Sequence, residues 1–291
     1  MKVTVLEPSG YCSGVERAMK LAIETKDKNP AEKVVVLGML VHNQDSLKTL
    51  EKHGIKTIYK ENCSYEQLAN EIKEPSTVIL TAHGHSKAVE EKLIKNGHKI
   101  VDATCPFVTQ SHKDMIKAIK DDKDIFYLGK KNHPESIAAL SISSRVHLIE
   151  VDNPNIPSIE CKNPLIISQT TFSIRDIQPI IDSIKSQYPN SEIKKTGICY
   201  ASDQRQEALL SLDKNVDLIY VVGGKLSNNT KTLYRLALSN YPNAKVLMIE
   251  NKNDINEKDL IGLNHIAISS GASTPEGVIL DIKARIESIN D

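Results

Sequence analysis

The sequence has no excess of charge of either sign and no long apolar run. Its 37 basic and 37 acidic residues give a formal net charge of +0, and no basic stripe resembles the footprint of a nucleic-acid-binding protein. No stretch of about 18 apolar residues could span a membrane. The N-terminal segment MKVTVLEPSG predicts a strand that leads into a loop, without the apolar region of a signal peptide. We therefore expect no nucleic-acid partner and no membrane association.

Several motifs of common enzymes are also missing. The P-loop pattern GxxxxGK followed by Ser or Thr does not occur, which disfavours an NTPase, and a GxGxxG dinucleotide fingerprint is absent as well. The closely spaced ligand pairs CxxC and HExxH, which many zinc sites use, are not found. The five cysteines are widely scattered and odd in number, so a disulfide framework is not expected. These features predict a protein of the reducing cytoplasm.

Three cysteines lie at nearly equal intervals along the chain. Cys12, Cys105 and Cys199 occur in the loops GYCSGVERA, DATCPFVTQ and GICYASDQR, each between a β-like run and an amphipathic segment. The even spacing indicates a threefold pseudo-repeat in which each unit contributes one thiolate to a common centre. Three thiolates can hold a metal or an iron–sulfur cluster and leave one position for a substrate. Free cysteines usually pack as small apolar residues, which is our interpretation of Cys63 and Cys161.

Short runs rich in Val, Ile and Leu alternate with longer amphipathic segments throughout the chain. This alternation is typical of βαβ units with parallel sheets, and the runs predict strands buried on both faces. We predict an α/β fold of three pseudo-repeated units, 14–104, 105–196 and 197–291, with residues 1–13 joining the third. The predicted strands lie within 1–7, 34–40, 76–84, 98–105, 124–134, 164–171, 216–224, 245–254 and 264–274.

Polar residues are concentrated where these strands end, which is where α/β sheets bind ligands. His42, His83 and His133 each follow a strand, and a histidine can donate hydrogen bonds to an oxyanion. Any one of them alone would be interpreted as an ordinary solvated or hydrogen-bonded loop residue. Three at matching strand ends are harder to dismiss, and together with the two loops described next they favour an anion site.

Two predicted helix starts are rich in hydroxyl and amide side chains. Ser227, Asn228 and Asn229 follow a glycine-rich turn, while Ser273 and Thr274 precede a proline. Such side chains and the free N–H groups of a helix N-terminus suit a phosphate, although ordinary capping would explain either loop alone. Likewise, Pro106 predicts a helix for which Cys105 is the N-cap, where the helix dipole stabilises a thiolate.

One carboxylate is a candidate proton donor. Glu135 follows His133 by two residues at a predicted helix start, and Thr170 and Thr171 end another strand. A carboxyl group near an enclosed metal centre can donate a proton if its pKa is raised. A first-turn glutamate that only complements the helix dipole is the alternative. The neighbouring histidine and the strand-end location favour the proton donor.

These motifs, taken in order, resemble the 4-hydroxy-3-methylbut-2-enyl diphosphate reductase family nearly from end to end. The resemblance depends on GYCSGVERA, LVHNQ, TAHG, VDATCPFVT, NHPE, SQTT, ICYAS, DQRQEA, SNNT and SGAS. The chain departs from the family at Asn228, where the family commonly has Ser, and at His85, where it commonly has Val. Tyr11 and Ser13 also differ from the residues that are common beside the first cysteine.

The resemblance implies a trefoil of three α/β domains around a central iron–sulfur cluster, and the last step of the methylerythritol phosphate route to isoprenoids. It implies one 4Fe–4S cluster per chain, bound by Cys12, Cys105 and Cys199, whose fourth iron binds the substrate hydroxyl. Glu135, with Thr170 and His133, would relay protons, and either Thr170 or Thr171 would face the substrate. The residues implied at the diphosphate are His42, His83, His133, Ser227, Asn228, Asn229 and Ser273.

The same resemblance implies a ferredoxin or flavodoxin as the electron donor, and we expect a monomer or weak homodimer. Two other functions remain open. A zinc hydrolase would need a mixed set of cysteine and histidine ligands at one centre, and a non-catalytic iron–sulfur sensor would not need the anion-binding loops.

Overall fold

The structure is a computed structural model that describes residues 1–161, 163–194 and 198–290 of the 291. Within these residues the chain forms twelve strands, ten α-helices and two short 3-10 helices. The strands are β1 Lys2–Val5, β2 Val34–Leu37, β3 Lys56–Ile58, β4 Thr77–Leu80, β5 Lys99–Asp102, β6 Ile125–Gly129, β7 Val146–Glu150, β8 Leu165–Ser168, β9 Glu192–Ile193, β10 Leu218–Val222, β11 Lys245–Ile249 and β12 His265–Ser270.

The helices alternate with these strands, as the sequence predicts. They are α1 Ser13–Lys28, α2 Gln44–Lys52, α3 Tyr65–Ala69, α4 Lys87–Lys95, α5 Pro106–Lys120, α6 Pro134–Leu140, α7 Ile174–Gln187, α8 Tyr200–Leu210, α9 Asn228–Asn240 and α10 Glu276–Asn290. In the part of the chain that the structure describes, every helix is too short or too polar to cross a membrane.

The chain divides into two compact units, of which the first is discontinuous in sequence. Unit 1 comprises Met1–Glu16, Val41–Thr49 and the described residues from Tyr200 onward. Its sheet has the strand order β1-β12-β10-β11, and all neighbours are parallel. The first strand therefore pairs with the last, with Lys2 opposite His265. All residues of β10 and β12 are buried, as expected for central strands of a parallel sheet.

Unit 2 comprises Arg17–Leu40 and Leu50–Cys199 and contains two more parallel sheets. Their strand orders are β3-β2-β4-β5 and β7-β6-β8-β9. The apolar strands β2, β4, β6 and β8 are buried along their whole length. Since all neighbouring strands are parallel, the loops that follow them emerge at the same edge of each sheet. The loops that carry the candidate residues follow these strands.

The predicted α/β class with mostly parallel sheets is confirmed, and each strand predicted from an apolar run is present. Strand burial on both faces is confirmed for the central strands, whereas β1 and β5 at sheet edges are partly exposed. The boundaries of the three predicted units stay a prediction. The boundary between 196 and 197 lies outside the described residues, as does the last residue of the third unit.

Candidate active site

Glu135 is held in the first turn of α6 in unit 2. The preceding Pro134 occupies the first helical position, where its fixed φ suits the helix and no N–H is lost. His133 is the N-cap, and its Nδ1 accepts a hydrogen bond of 3.2 Å from the Glu135 backbone N–H. Because Nδ1 is the acceptor, a neutral His133 ring carries its proton on Nε2. The predicted helix start at Glu135 is confirmed.

The carboxyl group of Glu135 is enclosed by protein. Glu135 is 4% exposed, and Thr170 donates to it twice, from its backbone N–H to Oε1 at 2.8 Å and from Oγ1 to Oε2 at 3.0 Å. Burial raises the pKa of Glu135 to about 7, and the Thr170 hydrogen bonds oppose that rise. A carboxyl with this pKa can both hold and release a proton near neutral pH. A glutamate that only complemented the helix dipole would not need this enclosure.

The two threonines after β8 make different contacts. Thr170 is buried against Glu135, and its carbonyl accepts a 2.9 Å hydrogen bond from the Cys199 backbone N–H. The Thr171 hydroxyl instead accepts a hydrogen bond of 3.1 Å from the Gln169 side-chain amide. Thr170 therefore connects the Glu135 carboxyl to the backbone of a predicted cysteine ligand.

His83 and His133 are neighbours in unit 2. Their rings meet edge to face with centroids 5.6 Å apart. Gly84, next to His83, has φ +87° and lies against α5 and α6. A side chain at this glycine would lie 3.3 Å from Val108 and 3.4 Å from Ala138. Two of the three strand-end histidines are thus brought into contact.

Cys105 is the N-cap of α5, with Pro106 at the first helical position, which confirms that prediction. Its backbone N–H donates to the Ala82 carbonyl at 3.0 Å, so the loops after β4 and β5 are held together. Cys199 directly precedes α8 in the same way. Helix N-termini stabilise thiolates through their partial positive charge, and both cysteines are partly exposed. Cys105 and Cys199 therefore suit metal ligation.

Cys12 has an equivalent local structure in unit 1. It directly precedes α1, its carbonyl accepts from the Glu16 N–H at 2.9 Å, and its own N–H donates to the Ala272 carbonyl at 3.0 Å. The Ala272 N–H in turn donates to Asn229 Oδ1 at 2.9 Å. Ala272 thus links Cys12 to both hydroxyl- and amide-rich loops, since it belongs to the loop with Ser273 and bonds to Asn229 of the other.

These two loops follow the adjacent strands β10 and β12. Thr230 lies between them, so close that a Cβ on either Gly223 or Gly271 would come within 2.3 Å of its Oγ1. Gly224 allows a similar approach, since a Cβ there would lie 2.3 Å from the His42 carbonyl oxygen. The glycines therefore allow the loops after β10 and β12 and the segment at His42 to pack directly against one another.

The polar side chains of these loops differ in how many hydrogen bonds they make to the protein. Ser227 is the N-cap of α9 and accepts from the Thr230 N–H, and Asn228 is buried beside it. The Asn229 amide also donates to Ser202 Oγ at 2.9 Å, so both ends of this side chain bond to protein. By contrast, the buried Ser273 Oγ has no hydrogen-bond partner within the described residues. Ser273 is thus best suited to a ligand, while Asn229 holds the loops together.

His42 is mostly buried in unit 1. Burial and, to a smaller extent, the nearby Lys231 ammonium together lower the pKa of His42 to about 4. The ring is therefore neutral near pH 7 and can act as a hydrogen-bond donor through one nitrogen. Lys231, in the first turn of α9, is a cation that the sequence analysis did not single out. Its position one turn after the predicted helix start at Ser227 is a sequence signal that could have indicated a cation near the anion site.

The two remaining cysteines pack against apolar clusters, as expected. Cys63 contacts the core around β2 and β4, and Cys161 contacts the core beneath α7. The candidate residues are divided between the units. Unit 1 contains Cys12, His42, Ser227, Asn228, Asn229 and Ser273, and unit 2 contains His83, Cys105, His133, Glu135, Thr170, Thr171 and Cys199.

Comparison with known proteins gives consistent matches over the whole chain. The model of the LytB protein family matches residues 3–287. The chain is 34% identical over 302 residues to the 4-hydroxy-3-methylbut-2-enyl diphosphate reductase of Malacoplasma penetrans (strain HF-2), covering 100% of both sequences. It is 35% identical over 294 residues to the enzyme of that name from Bacillus cereus (strain B4264), covering 100% of this chain and 91% of the relative.

Solved structures give the same result. The structure of the E-1-hydroxy-2-methyl-but-2-enyl-4-diphosphate reductase from Plasmodium falciparum matches with a TM-score of 0.86 and 30% identity, covering 100% of this chain and 88% of that one. A second structure, of (E)-4-hydroxy-3-methyl-but-2-enyl diphosphate reductase, described as the terminal enzyme of the non-mevalonate pathway, matches with a TM-score of 0.66 and 30% identity, covering 99% and 100%.

Proposed function

Because the chain belongs to the LytB protein family, we infer that it is a 4-hydroxy-3-methylbut-2-enyl diphosphate reductase, the terminal enzyme of the non-mevalonate isoprenoid pathway. The reaction consumes two electrons and two protons. The allylic C–O bond breaks, the hydroxyl leaves as water after taking one proton, and a carbon atom takes the other. The products are isopentenyl and dimethylallyl diphosphate. The observation that supports this chemistry best is the enclosed Glu135 carboxyl with a pKa near neutrality.

Glu135 is the proposed proton donor to the departing hydroxyl. Thr170 fixes both carboxyl oxygens, so the side chain cannot rotate away when it changes protonation state. His133 fixes the first turn of α6 through its bond to the Glu135 N–H, and its Nε2–H provides a second donor at the same helix start. We propose that Glu135, Thr170 and His133 act together, since the Thr170 hydroxyl is too weak an acid to supply the proton itself.

The family implies an iron–sulfur cofactor, and the local structure of three cysteines fits it. Cys12, Cys105 and Cys199 each directly precede a helix and are partly exposed, and thiolates are the usual ligands of iron–sulfur clusters. We propose that they bind one 4Fe–4S cluster per chain. When bound, such a cluster supplies electrons singly and offers the substrate hydroxyl an iron that has no protein ligand. Cys63 and Cys161, packed on apolar clusters, have no part in this.

The diphosphate is the proposed ligand of the polar strand-end residues. Ser273 and Ser227 offer hydroxyls at helix N-termini, where backbone N–H groups and the helix dipole favour an anion. Neutral His42 and the amide of Asn228 add donors, and Lys231 adds charge beside His42. His83, in ring contact with His133, is assigned to the same role. Asn229 contributes by holding the loops in place, and Thr171 lines the site beside Thr170.

We also propose that a ferredoxin or flavodoxin delivers the electrons. The protein is expected in the cytoplasm as a monomer or weak homodimer. Catalytic zinc sites include histidine or carboxylate ligands, so a set of three cysteines disfavours the zinc hydrolase. The enclosed Glu135 carboxyl disfavours the sensor. Anaerobic turnover of the allylic diphosphate with a reduced viologen, followed by product analysis, is the direct test. Absence of both alkenyl diphosphates from a preparation that contains iron and sulfide would exclude this function.

A further inference from the structure

Tyr127 is a fully buried tyrosine whose hydroxyl the proposed mechanism does not use. It lies in the middle of β6 and is 1% exposed. Its hydroxyl oxygen is buried and makes no hydrogen bond of good geometry within the described residues. Such an unsatisfied hydroxyl destabilises the folded state, and a phenylalanine of the same shape would avoid that cost. A role for the hydroxyl would account for its presence.

The surroundings of Tyr127 bring its hydroxyl close to Glu135. Gly129 lies on the same face of β6, where a Cβ would lie 2.7 Å from Tyr127 Cε1 and 2.6 Å from Ser136 Oγ. The absence of a side chain at this glycine lets the phenol ring pack beneath the first turn of α6. There the hydroxyl interacts with the Glu135 carboxyl and with Ser136.

The protonation states of Tyr127 and Glu135 decide which of the two donates a hydrogen bond to the other. Burial, and then the charge of Glu135, raise the pKa of Tyr127 well above its ordinary value. The phenol therefore keeps its proton and can only act as donor toward a carboxylate. An ionised carboxyl has about four acceptor positions, of which Thr170 fills two. The other titratable groups here are His133, on the same turn, and His83, which contacts His133.

We propose that Tyr127 is a positioning residue for Glu135, and that its phenol donates a hydrogen bond to the carboxylate once Glu135 has released its proton. Tyr127 would thus stabilise the deprotonated state that follows each proton transfer and hold the carboxylate in place until it is reprotonated. This assignment deepens the proposed function, on which its catalytic meaning rests. The contact itself is a property of the folded chain and can be measured without turnover.

The test is an infrared pH titration of the Glu135 carboxyl band, identified by subtracting the spectrum of Glu135→Gln. In Tyr127→Phe the midpoint should rise by roughly one pH unit, since a donor to the charged form is lost. Tyr220→Phe is the matched control, because Tyr220 is also fully buried in a central strand and its hydroxyl also lacks a partner. Its titration should match the parent protein.

One further measurement keeps the test decisive. In the active enzyme, the alkaline limit of kcat should move upward with the infrared midpoint in Tyr127→Phe and not in Tyr220→Phe. An unchanged midpoint in Tyr127→Phe, or a shift of equal size in Tyr220→Phe, would overturn the proposal. If turnover is absent but the midpoint shifts as expected, the contact stands and the proposed function fails.

Discussion

Thr170 donates to both oxygens of the Glu135 carboxyl, at 2.8 Å from its backbone N–H and at 3.0 Å from its hydroxyl. The same residue accepts a hydrogen bond from the backbone of Cys199. One residue therefore bonds to both the proposed proton donor and the backbone of Cys199. Substitution of Thr170 removes the hydroxyl contact to Glu135 and keeps the backbone N–H contact. The effects of the two contacts can therefore be measured separately.

Thr170→Val should lower kcat about tenfold, because one hydrogen bond to a charged group contributes about 1.5 kcal/mol. KM should change less, since the lost contact is to Glu135. Steady-state kinetics with a reduced viologen as donor checks this. Thr25→Val, which removes a hydroxyl bonded within α1, is the control and should match the parent. A loss in Thr171→Val as large as in Thr170→Val would contradict the assignment of Thr170 as the partner of Glu135.

Glu135→Gln should lower turnover by at least about 100-fold, the usual contribution of a general acid. Glutamine keeps the shape of the side chain and removes its proton-donating ability, so iron and sulfide content should stay at the parent level. Glu150→Gln, at the end of β7, controls for the loss of a negative charge. Parental turnover in Glu135→Gln would exclude this residue as the donor.

The pH dependence of kcat follows from the raised pKa of Glu135. Burial favours the protonated carboxyl, so the donor form is present below about pH 7 and is lost as the pH rises through that value. At saturating substrate, kcat should be level on the acid side and fall about tenfold per pH unit above pH 7. A profile without an alkaline limb between pH 7 and pH 9 would show that Glu135 does not donate the limiting proton.

Serine substitution should divide the five cysteines into two groups. Cys12→Ser, Cys105→Ser and Cys199→Ser should each lose most of the iron and sulfide found after anaerobic purification, together with activity. Cys63→Ser and Cys161→Ser remove thiols that pack on apolar clusters and should retain the cluster. Full iron content in Cys105→Ser would remove that residue from the proposed ligand set.

Ser273→Ala tests the anion site. Its buried hydroxyl has no partner within the described residues, so its removal should leave the fold unchanged. We expect KM for the allylic diphosphate to rise about tenfold, corresponding to one hydrogen bond to a charged group, with kcat within about twofold of the parent. Ser239→Ala is the control, since that hydroxyl bonds to the Leu236 carbonyl on a surface helix. Equal KM values in the two variants would rule out a contact from Ser273.

The apolar runs of the sequence were sufficient to predict the central strands and the parallel α/β class, because buried strands need uninterrupted Val, Ile and Leu. The short edge strands β3, β7 and β9 were not predicted, since an edge strand is half exposed and its sequence is mixed. Helix starts at Cys105, Ser227 and Glu135 were predictable from proline and capping residues. These are local signals that do not depend on the rest of the fold.

The contacts of the site could be predicted less well. The sequence could not distinguish Thr170 from Thr171. The direction of each side chain depends on the conformation of the loop after β8, which no local motif reveals. The sequence also could not show that both ends of the Asn229 side chain, which it assigned to the anion, bond to protein; the assignment itself stays a prediction. The charge of Lys231 beside His42 depends on contacts between distant segments, which no local motif encodes.

The pairing of β1 with β12 has a consequence for how this protein matures. Residue 2 is synthesised long before its partner, residue 265, and cannot pair with it until that part of the chain has been made. The sheet of unit 1, next to the loop around Cys12, therefore cannot close before β12 has left the ribosome, while unit 2 can begin to fold earlier. We expect loading of any inorganic cofactor that depends on Cys12 to wait for this late pairing.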